Sequence, residues 1–219
     1  MTNQTKIQEL ERTIIQLPEI QVMKGIWQND FHEFDVYTHT TEYVRYMKEL
    51  TSDSHLIIAG YLHDTGKPVT ATLKYKSGIL QQREPGKPYH EFDNHETIGA
   101  EMVKKMPSNL FESYDLSQEK IAKLVGAHYL PMKGIKELRK TKTQEEFMLS
   151  FSKLKQTLDS SGITRDEVML MFLADKLAQG KFCTDREELF AVREAILKPT
   201  ESQMRRIYEL QKQTYGGKE

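Results

Sequence analysis

Apolar residues recur at three- and four-residue spacing along most of the chain, the period of a helix with one buried face. The pattern predicts helices over Ile7 to Leu17, ended by Pro18, and over about His39 to Leu50, with Thr38 as a cap. A third starts near Ser54 and stops by Gly66-Lys67-Pro68. Another runs from Asn94 or His95 to a point before Pro107. Ser117 opens the next, with Lys120 where a capping box has Glu, and that helix runs towards Leu130-Pro131. Thr143 to Leu158, Thr164 to Ala178, Asp185 to Leu197 and Glu201 to Gln213 complete the helical set.

Between Val69 and Phe92 the period changes to two. Thr70, Thr72, Lys74 and Lys76 alternate with Ala71, Leu73 and Tyr75, as in a half-buried strand. Ser77-Gly78 is a turn signal before Ile79 and Leu80, and Arg83 to Pro88 reads as a loop. The expectation is an all-α fold, a helical bundle in one domain over 1–219, with a small β-hairpin inserted at about 69–92.

What sits on the apolar faces changes the picture. Ile121, Leu124, Val125 and His128 share a helical stripe, as do Val168, Met171, Phe172 and Asp175. Ile57, Gly60, Tyr61 and Asp64 repeat the spacing, and Leu56, Ala59, Gly60 and His63 do so one residue earlier. His95, Ile98, Gly99 and Met102 open another stripe, and His39, Tyr43, Tyr46 and Leu50 share a side. Helical spacing therefore sends four histidines and two aspartates inward. One interior histidine is most often a hydrogen-bonded core residue, and one inward aspartate is often a boundary residue. Six together call for a divalent cation, which supplies the missing positive charge and needs deprotonated ligands. His63 and Asp64 point about 100° apart on a helix, so both reach one ion only near a helix end, where Gly66 and Pro68 place it. Imidazole with carboxylate favours Mn, Fe, Co, Ni or Zn over an all-oxygen calcium cage.

Composition narrows the classes. The 31 Lys and Arg nearly balance 32 Asp and Glu, which excludes nucleic-acid binding driven by overall positive charge. No apolar run approaches the roughly 18 residues that span a bilayer, and the polar first ten residues lack the apolar centre of a signal peptide. The single cysteine, Cys183, forms no internal disulfide and reads as a small buried side chain. These features lead to the expectation of a cytoplasmic protein without a membrane partner.

His39, His63-Asp64 within Leu62-His-Asp-Thr-Gly-Lys-Pro68, His95-Glu96, His128 and Asp175 together resemble the HD-domain superfamily of metal-dependent phosphohydrolases. The resemblance spans about 34–179. Asp35-Val-Tyr-Thr-His-Thr40 and Phe92-Asp-Asn-His-Glu-Thr-Ile-Gly-Ala100 look most like the HD domain of bacterial tRNA nucleotidyltransferases; nothing here resembles their nucleotidyltransferase head. The resemblance implies a helical bundle in which His39, His63, Asp64 and Asp175 hold one metal. It further implies a second ion on His95 and His128, with Asp64 bridging, although in one-metal relatives such histidines contact substrate phosphate instead. The cofactor is one or two divalent ions, Mn, Fe, Co, Ni, Zn or Mg.

The implied activity is hydrolysis of a phosphomonoester or phosphodiester of a nucleotide, cyclic nucleotide or nucleic-acid end by metal-activated water, with Asp64 and Lys67 as catalytic residues. Lys67 could neutralise the phosphate or be a solvated helix-end lysine. Glu96 could act as a base, orient His95 or lie on the surface, the commoner place for a glutamate. Lys74, Lys76, Arg83 and Lys87 could receive an anionic substrate or form a solvated face; Trp27 and the tyrosines, Tyr129 included, could line a pocket or simply pack. His32 and His55 share no stripe with the ligands, and His90 and Asp93 are marginal neighbours of His95. Two rival readings stand beside the hydrolase: a di-iron oxygenase with four histidines and two aspartates, and a non-catalytic nucleotide-binding module.

Overall fold

Side-chain caps set several helix starts. Asp35 accepts from the Thr38 backbone N–H and Asp53 from that of His55, while Thr143 and Glu146 form a complete capping box. The computed structural model describes residues 3–215 apart from Thr184. These residues divide between two compact units, the first reaching Gly126 and including 174–183, the second made of 127–173 and the described residues after Cys183.

The first unit contains α1 (Asn3–Ile14), α2 (Pro18–Gln21), α3 (Val36–Leu50), α4 (Ser54–Leu62), α5 (Lys67–Thr70), α6 (His95–Lys105), α7 (Asn109–Glu112) and α8 (Gln118–Ala127, whose last residue opens the second unit). Its core includes Leu10, Ile14, Met23, Tyr43, Met47, Ile58 and Leu62, all fully buried, and α4 packs against both α3 and α1. The second unit contains α9 (Leu130–Arg139), α10 (Gln144–Asp159), most of α11 (Arg165–Leu177), α12 (Arg186–Leu197) and α13 (Glu201–Tyr215). There α9 packs on α10 and α12 on α13, with Phe147 stacked on Phe151 at 6.0 Å between ring centres. Ala174 to Leu177, the end of α11, belong to the first unit. No helix among the described residues is long and apolar enough to cross a membrane.

The all-α expectation is met, with differences at the boundaries. Helix α3 starts at Val36 and is capped by Asp35, because the Asp35 carboxylate accepts from the Thr38 N–H, a first-turn donor with no carbonyl partner inside the helix. The helix after Ser117 stops at Ala127, and Pro131 stands in the first turn of the new helix α9. Proline fits a helix start, where its missing N–H costs nothing; the same reason lets Pro68 open α5.

The insertion forms two antiparallel pairs. β2 (Tyr75–Lys76) pairs with β3 (Ile79–Leu80), and β1 (Ala71–Leu73) pairs with β4 (His90–Phe92). Ser77 and Gly78 both have positive φ, 51° and 77°, the backbone of a two-residue type I′ turn. The half-buried strand is not observed, because Leu73 is 44% and Tyr75 57% exposed. A ribbon this short has no second layer against which to bury alternate residues.

Candidate metal centre

The imidazoles of His39, His63 and His95 are each turned by a backbone carbonyl. The start of α3 is pinned by Asp35, which accepts from Gly25 N–H at 2.7 Å and Thr38 N–H at 2.8 Å. One turn along, His39 places Nδ1 3.2 Å from the carbonyl oxygen of Ala178. His63 follows the last residue of α4, and its Nδ1 lies 2.8 Å from the Gly60 carbonyl. His95 opens α6 after Asn94 in the left-handed region, with Nδ1 2.8 Å from the Phe92 carbonyl. A carbonyl can only accept, so each Nδ1 carries the proton and, in the neutral ring, each Nε2 presents a lone pair.

Those Nε2 atoms face carboxylates. His39 Nε2 is 3.0 Å from Asp175 Oδ1 and 3.7 Å from Asp64 Oδ2. His63 Nε2 is 3.1 Å from Asp64 Oδ2 and 3.9 Å from Asp175 Oδ1. His95 Nε2 is 3.7 Å from Asp64 Oδ1. Ligand atoms of His39, His63 and Asp175 all lie within 4.8 Å of one another. Acceptors this close need a shared proton or a cation between them. Nitrogen and oxygen donors converging in a buried place, with no thiolate among them, have the chemistry of a divalent-ion site.

The surroundings hold this geometry. The Tyr43 ring stacks on His63 at 4.1 Å between centres. Gly60 makes room for it, since a β-carbon there would stand 2.8 Å from Tyr43 Cε1. Asp64 is fully buried; burial pushes its carboxyl up, but His63, Lys67 and His39 hold it well below the usual carboxylate range. Burial likewise opposes ionisation of Asp175, and its neighbours His39, His63 and Lys67 overcome it, holding the carboxyl well below the usual carboxylate range. Burial first, then the Lys67 ammonium, pushes the His95 imidazole down. Both aspartates are therefore charged and His95 is neutral, the forms that bind metal.

The structure thus brings together His39, His63, Asp64, His95 and Asp175. His128 is buried directly after α8, within the second unit. Lys67 is 6% exposed, which overturns the solvated reading; its Nζ lies 2.7 Å from Asp64 Oδ2 and donates to Gln28 Oε1 at 2.6 Å. Glu96 is also buried, at 5% exposure, while Ile98 is 38% exposed. The inner face of α6 is thus His95, Glu96, Gly99, Ala100 and Val103, rotated from the expected stripe, because Gly66 packs tightly on the His95 backbone.

Arg83 is occupied elsewhere, donating to the backbone carbonyls of Glu33 at 2.5 Å and His32 at 3.3 Å. Lys87 pairs with Glu84, and both Arg83 and Lys87 lie over the Trp27 ring. His90 donates Nδ1–H to the Trp27 carbonyl at 2.8 Å. Two residues near the centre carried no sequence signal: Gln28, and His32, whose ring meets His39 edge-on at 5.1 Å between centres. Both lie in an irregular stretch where periodicity says nothing.

Residues 36–180 match the HD domain family. Among curated proteins, an A-adding tRNA nucleotidyltransferase of Deinococcus radiodurans is 29% identical over 118 residues, which cover 53% of this chain and 25% of that protein. The chain thus matches about a quarter of the length of that relative. No solved structure matches it.

Proposed function

This chain belongs to the HD domain family, and from that premise we propose that it is a metal-dependent phosphohydrolase. The observation that carries the proposal is the meeting of His39 and His63 Nε2 with the carboxylates of Asp175 and Asp64 at 3.0 and 3.1 Å. The family lies within a superfamily of metal-dependent hydrolases, and the donor set suits a divalent ion. His39, His63, Asp64 and Asp175 would hold the first ion. His95 is proposed, from the family resemblance, to serve a second with Asp64. Such an ion, when bound, acidifies a coordinated water and draws charge from a phosphoryl oxygen.

The chain's own groups prepare that chemistry. The Ala178, Gly60 and Phe92 carbonyls fix which imidazole nitrogens are lone-pair donors. Lys67 keeps Asp64 ionised and supplies a buried positive charge beside the centre, suited to an anionic ester. The substrate is a nucleotide, a cyclic nucleotide or a nucleic-acid end; the relative's name, which includes tRNA, supports the last class. Nucleotide addition is not carried over.

Purified protein loaded with Mn, Co or Ni and assayed on phosphate esters, 2′,3′-cyclic nucleotides included, tests the reading. Phosphate release or ring opening that is lost in Asp64→Ala supports it. Iron content with oxygen consumption and no phosphate release would assign an oxygenase instead; nucleotide binding without turnover in any metal would assign a binding module.

A further inference from the structure

Gln28 lies between α2 and α3 on a segment strapped to the inserted ribbon. The His90 backbone N–H donates to the Trp27 carbonyl at 3.1 Å, and the His90 ring donates to the same oxygen. Trp27 also bridges to Asp35, the residue that caps α3. The Gln28 side chain is thus held by its backbone beside the metal centre, and it is 2% exposed.

Its amide has a determined orientation. Lysine carries only donors, so the atom 2.6 Å from Lys67 Nζ must be the amide oxygen. Lys67 Nζ in turn stands 2.7 Å from Asp64 Oδ2, and the Phe92 ring covers it at 5.3 Å from the ring centre. The amide nitrogen is left as a buried donor with no partner among the described residues. Buried amide donors are nearly always satisfied, and orphans concentrate where a ligand completes them. An acceptor is therefore missing here, one residue removed from a candidate metal ligand and beside a buried ammonium.

We propose that Gln28 is a substrate-binding residue: its Nε2–H donates to a non-bridging phosphoryl oxygen of the bound ester, while its Oε1 holds the Lys67 ammonium towards the same anion. The inference rests on the phosphohydrolase reading and adds to it the residue that recognises the phosphate. Amide and ammonium act as one unit. An apolar replacement removes both functions without adding charge, whereas Gln28→Glu keeps an acceptor for Lys67 but puts a negatively charged oxygen where the donor was.

The test is binding of inorganic phosphate to the Mn-loaded full chain by calorimetry, for the wild type, Gln28→Glu and Gln28→Leu, with folding checked by thermal unfolding. Wild-type protein is expected to bind phosphate, and both variants to bind at least about tenfold more weakly, the scale of one lost charge-assisted hydrogen bond. With an ester that turns over, Gln28→Glu is expected to raise KM about tenfold while kcat changes less than about threefold. Gln28→Glu protein that is folded and binds phosphate as the wild type does would overturn the role of Gln28 and leave the hydrolase reading standing. Wild-type protein that binds no phosphate with Mn, Co or Ni would overturn both.

Discussion

Gly66 packs its α-carbon against the backbone at the start of α6: a β-carbon there would lie 2.8 Å from the Gly99 nitrogen and closer still to the His95 carbonyl oxygen. The contact sets the spacing between the turn that carries Asp64 and the helix that carries His95. Gly66 has φ −74°, open to any residue, so space and not backbone freedom demands glycine. Gly66→Ala is expected to destabilise the protein by about 1–3 kcal/mol through overpacking and to weaken metal binding. Urea unfolding checks the first effect; a midpoint equal to that of the wild type would contradict the close packing.

In the second unit, Arg139 bridges two acids, donating to Asp185 Oδ2 at 2.6 Å and to Glu188 Oε2 at 2.5 Å. Glu188 is buried and also accepts from Gln211 at 2.8 Å. Removing the guanidinium leaves a buried carboxylate without its cation, so Arg139→Ala is expected to cost about 3–5 kcal/mol. Replacing Arg139 and Glu188 together with Met and Leu is expected to recover much of that loss in the same urea titration. Equal instability of the single and double variants would contradict the pairing.

The metal-free protein is expected to lose stability as pH falls, in two stages. His32 and His95 have imidazoles pushed down in the fold, chiefly by burial. Below their ordinary value of about 6.5 the unfolded chain therefore binds more protons, and stability starts to fall. Asp64 and Asp175 are depressed as well, so their contribution is complete above about 4 and is lost as pH drops further. Thermal unfolding of chelator-treated protein from pH 8 to pH 3 checks the sign. A melting temperature that rises on acidification from 7 to 5 would contradict it.

Much of this centre was legible because helices advertise what they bury. Asp175 ends a stripe of apolar residues that the fold buries, and His63-Asp64 lies at the predicted end of α4. Lys67 was harder to read. A lysine beside Gly66 and Pro68 looks like a solvated stop, and only the tertiary approach of Gln28, added to the local pairing with Asp64, reveals a buried charge. The α6 stripe shifted by one residue because His95 and Gly99 backbone atoms must meet Gly66, a constraint from outside the helix. Helix α9 was hidden by Pro131, which starts a helix as readily as it stops one.

Metal content is the most direct measurement. Equilibrium dialysis against Mn, followed by elemental analysis, is expected to find at least one ion per wild-type chain. His39→Ala and Asp175→Asn are each expected to lower affinity at least about tenfold, because each removes one member of the pair that meets at 3.0 Å. Wild-type affinity and stoichiometry in both folded variants would contradict an ion held between those side chains.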